Sequence, residues 1–132
     1  MSQEHVNKIQ NIYAAFAKGD VPAVLGALDP NVEWWEAENF PYADGNPYKG
    51  PQAVLTGVFM RLAGDWENFA LDVKELFDAG DTVISAGYYT GTHKATGKFV
   101  RAQFSHFFTF RDGRVTKFQQ YTDTAQFKDA VN

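Results

Sequence analysis

Residues 99–123 read FVRAQFSHFFTFRDGRVTKFQQYTD, and the alternation inside this stretch decides the fold. Ala102, Phe104, His106, Phe108 and Phe110 fall on one face of a strand, and Arg101, Gln103, Ser105, Phe107 and Thr109 on the other. The even-numbered face is the more apolar, so it should point inward and carry His106 among phenylalanines. Arg111-Asp112-Gly113-Arg114 reads as a turn, and residues 115–123 as the next strand. Working backward, residues 93–98 form a hairpin connection around Thr96-Gly97-Lys98, and residues 82–92 another strand. Ala79-Gly80-Asp81 is a turn, and residues 69–77 alternate in part. Consecutive strands joined by tight turns require a mostly antiparallel sheet.

The first third of the chain has the helical period instead. Val6, Ile9, Ile12, Tyr13 and Phe16 line one face over residues 4–18, Gly19 fits a stop, and Asp20 fits an N-cap with Pro22 in the first turn. Val24, Leu25 and Leu28 predict a short second helix closed by Asp29-Pro30. Residues 32–37, VEWWEA, predict a strand with Val32, Trp34 and Glu36 on one face. Residues 38–50 form a long loop that is either a lid over a cavity or a segment pinned by its own rings, Phe40, Tyr42 and Tyr48. Pro51 opens a third helix whose face is Val54, Leu55, Val58, Phe59 and Leu62, and residues 124–131 can form a short closing helix. The expected class is α+β: three N-terminal helices and a mostly antiparallel sheet, which, covered by helices on one face, can curl into a cone around a pocket.

With 132 residues the chain is expected to form one domain over residues 1–132. The absence of cysteine excludes a disulfide framework, a thiol nucleophile and a thiolate-ligated metal. A formal net charge of -4 without a basic run argues against nucleic acid as partner. No apolar run approaches the roughly 20 residues of a membrane span, and the first residues lack a leader's apolar stretch, so a cytoplasmic protein without membrane contact is expected. Aromatic residues make up 16% of the chain, which fits either a ring-rich sheet core or a ring-lined ligand pocket.

No glycine-rich nucleotide fingerprint, phosphate loop, nucleophile elbow or paired-histidine metal motif is present. Three scattered histidines do not make a metal site, and no metal or cofactor is expected. That leaves acid–base chemistry by single side chains. His106 is either a core histidine satisfied by one hydrogen bond or a pocket group. Asp123 shares a predicted face with Gln119 and Tyr121, where it can meet His106, yet just before Thr124-Ala125-Gln126-Phe127 it is equally a helix N-cap. Glu36 and Trp34 share a face, although Glu36 can also lie at an exposed strand end. Tyr13 reads as structural, His5 and His93 as solvated, and Arg61, Asp65 and Arg101 as surface charge.

Residues 13–20, YAAFAKGD, with residues 28–34, LDPNVEW, resemble the opening of SnoaL-like, ketosteroid-isomerase-related proteins of the nuclear transport factor 2-like superfamily. Pro41-Tyr42, Pro47-Tyr48-Lys49-Gly50-Pro51, Ala53-Val54, Thr96-Gly97-Lys98, Phe104-Ser105-His106-Phe107 and Tyr121-Thr122-Asp123-Thr124-Ala125 extend the likeness over nearly the whole chain. The resemblance implies a cone-shaped α+β barrel with a deep pocket, and a homodimer through the outer face of the sheet. It also implies acid–base roles for His106 and Asp123, which match the two groups used by SnoaL-type polyketide cyclases. The remaining wall is expected from Tyr13, Trp34, Glu36, Phe40, Tyr42 and Phe59. Phe104, Phe108, Gln119 and Tyr121 of the last strands should complete it. Departures narrow the chemistry. Trp34 and His106 stand where ketosteroid isomerase has its two carboxyl groups, which argues against that arrangement. Gln103 stands where limonene epoxide hydrolases need a second carboxylate. The expected function is a cofactor-free isomerase or cyclase acting on an apolar ring-containing carbonyl compound. The alternative is a binding module that holds a small apolar molecule in the same pocket without changing it.

Overall fold

The apolar stripe of the N-terminal segment forms α1 (Ser2–Ala17) in the computed structural model, which describes residues 2–132. Gly19, at φ 75°, ends it: its own N–H reaches the Phe16 carbonyl and the next N–H, of Asp20, reaches that of Ala15. Asp20 then caps α2 (Val21–Gly26) by accepting the Ala23 N–H. The second helix is shorter than its apolar pattern suggests, because Leu28 belongs to β1 (Leu28–Trp35) and pairs with Val115.

Residues 36–50 are an ordered plug. A 3-10 turn at Ala43–Gly45 and the two-residue β2 (Tyr48–Lys49) punctuate it, and Phe40, Tyr42 and Tyr48 are all buried. The Tyr48 hydroxyl donates to the Tyr42 carbonyl (2.6 Å), and the Tyr42 hydroxyl donates to Asp65 (2.7 Å). Arg61 pairs with Asp44 through two nitrogens and lies over the Tyr42 ring, 4.4 Å from its centroid. The third helix is continuous but not uniform: α3 (Pro51–Val54), a π-helical segment (Leu55–Phe59) and α4 (Met60–Asp65) follow one another. Val54, Val58 and Phe59 are buried on its inner face.

Four long strands follow: β3 (Trp66–Ala79), β4 (Thr82–His93), β5 (Phe99–Arg111) and β6 (Arg114–Thr122). They pair antiparallel in sequence, while β1 joins the far side of β6 in parallel, giving the order β2-β1-β6-β5-β4-β3. Two register shifts in β3, with Asn68 at φ 54°, bend the sheet toward the helices. A third shift matters more for the interior. Phe110 pairs with Val115 but Thr109 with Lys117, so β6 holds one extra residue and its inward set changes from Val115 to Phe118 and Gln120. The last helix, α5 (Thr124–Ala130), closes one end of the cone with Phe127 buried against Phe40, Trp66 and Tyr89. Among the described residues no helix is long and apolar enough to cross a membrane.

Gly57, in the π segment, allows the Tyr48 ring to approach the helix backbone so closely that a Cβ there would overlap the ring. Gly64, in α4, faces open space. Gly57→Ala should therefore lower stability by about 1–3 kcal/mol through overpacking. Gly64→Ala should raise it by roughly 0.5–1 kcal/mol, since it only restricts the unfolded chain. Urea unfolding of the two variants checks both signs.

Candidate functional site

The concave face of the sheet and the helices packed on it enclose a narrow cavity of about 60 Å³. Trp34, Val58, Phe59, Phe108 and Phe118 line it, together with Phe40 of the plug. Phe16, Leu62, Phe69 and Leu71 are lining residues that remain half-exposed, which places the mouth between α1, α4 and β3. Into this apolar space the chain sends Tyr13, Glu36, Tyr89, His106 and Gln120.

Strand register explains the polar row. Ser85 of β4 lies opposite His106 of β5, and His106 lies opposite Gln120 of β6. All three point inward and are buried, with 0%, 3% and 4% of their surface exposed. Buried polar groups need partners, and these have them. The Tyr13 hydroxyl, reaching in from α1, is 2.7 Å from Ser85 Oγ and 2.7 Å from His106 Nδ1. The Tyr89 hydroxyl, four residues beyond Ser85 on the same face, is 2.5 Å from His106 Nε2. Gln120 donates its amide to Tyr89 (2.9 Å) and accepts the Ala37 N–H (3.0 Å). Burial disfavours the imidazolium and lowers the His106 pKa to about 3, so the ring is neutral at physiological pH. Burial likewise raises both tyrosines above the ordinary phenol range, so both keep their protons.

Glu36 follows β1 at the other end of the row. Asn46 of the plug grips its backbone, accepting its N–H (2.8 Å) and donating to its carbonyl (2.7 Å). The carboxyl is 3% exposed and accepts one hydrogen bond, from Trp34 Nε1 (3.1 Å). Burial dominates that bond and the attraction of Arg61, and raises the Glu36 pKa to about 8. A carboxyl so placed exchanges its proton near neutral pH, as acid–base work requires.

Of the wall expected from the sequence, Tyr13, Trp34, Glu36, Phe40, Phe59, His106 and Phe108 face the cavity. Five expected members do not. Asp123 is exposed and caps α5 through the Gln126 N–H and side chain, so it does not meet His106. The extra residue in β6 turns Gln119 and Tyr121 outward, and Tyr121 is 54% exposed against Phe107. Tyr42 is held in the plug by Asp65 and Trp66, and Phe104 packs with Tyr89 in the cluster under α5. Two histidines are less solvated than expected: His93 is buried against Trp66, and His5 stacks on Phe110 and donates to the Gly80 carbonyl. Ser85, Tyr89 and Gln120 are functional candidates that the sequence reading missed. Alternation along β4 places Ser85 and Tyr89 together on the inward face, which was the available signal. Among the described residues no cluster of three or more potential ligands could hold a metal ion.

The profile described as a SnoaL-like domain matches residues 9–118. A nuclear transport factor 2-like protein of Burkholderia thailandensis E264 is 32% identical over 96% of this chain and 95% of its own, with a TM-score of 0.91. A protein of unknown function from Burkholderia pseudomallei K96243, also nuclear transport factor 2-like, is 25% identical over 98% of both chains, with a TM-score of 0.89. TerC, co-crystallized with polyporic acid, is 25% identical over 97% of this chain and 98% of its own, with a TM-score of 0.86. A search of the curated proteins finds no match.

The buried carboxyl should be visible in the pH dependence of stability. Its pKa is raised from 4.5 in the unfolded chain to about 8 in the fold, so the native state binds the proton more tightly. Its contribution is complete below pH 4.5 and is lost as pH rises through about 8. Between those limits it should lower stability by up to about 1.4 kcal/mol per pH unit. Glu36→Gln should flatten that decline in urea titrations across the window, and an unchanged slope would show that the carboxyl ionises freely.

Proposed function

The chain belongs to the SnoaL-like domain family, and from that premise we propose that it is a cofactor-free acid–base catalyst for an apolar, ring-containing carbonyl compound, with Glu36 as the proton-transfer group. The observation that carries this reading is a nearly unpartnered carboxyl in a cavity walled by rings. As carboxylate, Glu36 takes a proton from the carbon next to the carbonyl. The C–H electron pair becomes a C=C bond, and the carbonyl pair moves onto oxygen. Return of the proton elsewhere on the conjugated system gives an isomer, and attack of the enolate carbon on a second carbonyl closes a ring, the new alkoxide taking the proton back from Glu36. The walls exclude water, and the low polarity that raises the carboxyl pKa also makes its carboxylate a stronger base. Both nitrogens of His106 are occupied by tyrosine hydroxyls, so the imidazole acts through them. TerC, a relative of equal length coverage, was co-crystallized with a small molecule, which supports the cavity as the ligand site.

The reading extends to assembly. The outer face of the sheet groups Ile84, Ala86, Tyr88, Phe107 and Tyr121 on three adjacent strands, none of them fully buried. An isologous pair of copies through this face covers it.

Two experiments test these statements. Ring ketones from cyclohexanone to 2-tetralone, incubated with the protein in deuterated water, should gain deuterium at the α-carbon, faster as pH rises toward 8. Glu36→Gln should slow that uptake by about 10²–10⁴-fold. Equal uptake in the variant overturns the role of Glu36, and tight binding without uptake favours the binding module. Sedimentation should give twice the chain mass, and Phe107→Glu should give the single mass. A wild-type monomer at micromolar concentration would refute the dimer.

A further inference from the structure

The hydrogens of the buried row do not balance within the protein. Ser85, Tyr13, His106 and Tyr89 stand in series, joined by three contacts. Each brings one hydrogen when the imidazole is neutral, so three contacts use three of four. Gln120 does not absorb the fourth. Its Oε1 accepts from a backbone N–H, which is always a donor, so its amide nitrogen faces Tyr89 and donates. Ser85 is fully buried and is not on the cavity wall, so a hydrogen left there would be stranded. Its hydroxyl therefore donates to Tyr13, and the surplus falls on Tyr13 or Tyr89, both of which face the cavity.

The tautomer of His106 decides between them. With the proton on Nε2, Tyr13 donates to Nδ1, the ring donates to Tyr89, and the Tyr89 hydrogen is free. With the proton on Nδ1, the Tyr13 hydrogen is free instead. Gln120 breaks the symmetry of function. It binds Tyr89 and the N–H of Ala37, the residue after Glu36, and so ties the Tyr89 hydroxyl to the Glu36 end of the cavity. A ligand touched by Glu36 is then within reach of Tyr89.

We propose that Tyr89 is the donor to the ligand's carbonyl oxygen, held ready by the Nε2–H tautomer of His106. The assignment rests on the acid–base reading of the cavity and specifies its ligand: an acceptor oxygen must sit against Tyr89 with the reactive C–H toward Glu36. As Glu36 removes that proton, charge develops on the oxygen that Tyr89 already holds. Donation from Gln120 and His106 to the phenol oxygen strengthens the hydrogen bond Tyr89 makes. Tyr89 keeps its own proton throughout, and Glu36 returns the one it took.

Nitrogen-15 spectra of the ligand-free protein at neutral pH distinguish the tautomers of His106 and need no ligand. The Nε2–H form is expected; the Nδ1–H form or an imidazolium overturns the assignment. Acetophenone and ethylbenzene, alike in shape but differing in the carbonyl, then serve as probes. Tyr89→Phe should weaken acetophenone about tenfold and leave ethylbenzene unchanged, the second probe reporting that the variant cavity is intact. Unchanged acetophenone affinity in Tyr89→Phe, or a loss confined to Tyr13→Phe, overturns it. Failure of the wild-type protein to bind either probe counts against the cavity as ligand site, whereas the tautomer still decides the donor.

Discussion

A polar row inside an aromatic cone is stable only if each member finds a partner, and this requirement organises the interior. Leaving a buried donor or acceptor unpaired costs about 1–3 kcal/mol, so Ser85, His106 and Gln120 would be a serious liability on three adjacent strands. Cross-strand register sets them side by side, but strand neighbours point in parallel and cannot bond one another fully. The partners come from elsewhere: Tyr13 from α1, Tyr89 from a different level of β4, and the Ala37 N–H from the end of β1. The first helix is thereby fixed relative to the sheet, and β4 and β1 are tied through side chains to the strands between them. The position of the first helix over the cone is a hydrogen-bond requirement as much as a packing one.

Glu36 stands in contrast. His106 is saturated, with both nitrogens engaged, whereas the carboxyl two residues beyond Trp34 has a single donor. The same burial acts on both groups with opposite results. It removes the proton from the imidazole and keeps it on the carboxyl, so both are neutral at pH 7. One environment thus yields a rigid, uncharged scaffold on one side and a group poised to exchange a proton on the other. Asn46 fixes the Glu36 backbone, accepting its N–H and donating to its carbonyl.

The plug and the interrupted third helix serve the same cavity. Tyr48 fits between Gly45 and Gly57, its hydroxyl holds the Tyr42 carbonyl, and Arg61 clamps Asp44 over the Tyr42 ring. Phe40 is thereby pressed against Tyr42 and Phe127 and faces the void from the side. Val58 and Phe59, at the end of the π segment Leu55–Phe59, both reach the interior.

Local sequence determined much of this protein. Period-2 alternation in residues 99–110 placed His106 inward, and the helical stripe of residues 6–16 brought Tyr13 to the sheet-facing side. Both patterns are short-range and independent of partners. Tertiary structure decided what those side chains meet. One extra residue in β6 reversed which of Gln119, Gln120 and Tyr121 faces the cavity, and no composition rule marks its position. The expected pair of His106 and Asp123 gave way to a tyrosine on each ring nitrogen, with Asp123 capping α5 at the surface. The carboxyl in the cavity is Glu36, because the parallel pairing of β1 with β6 carries the end of β1 over the interior. Alternation says only in or out; which inward groups converge depends on register, and register is a property of two strands rather than one.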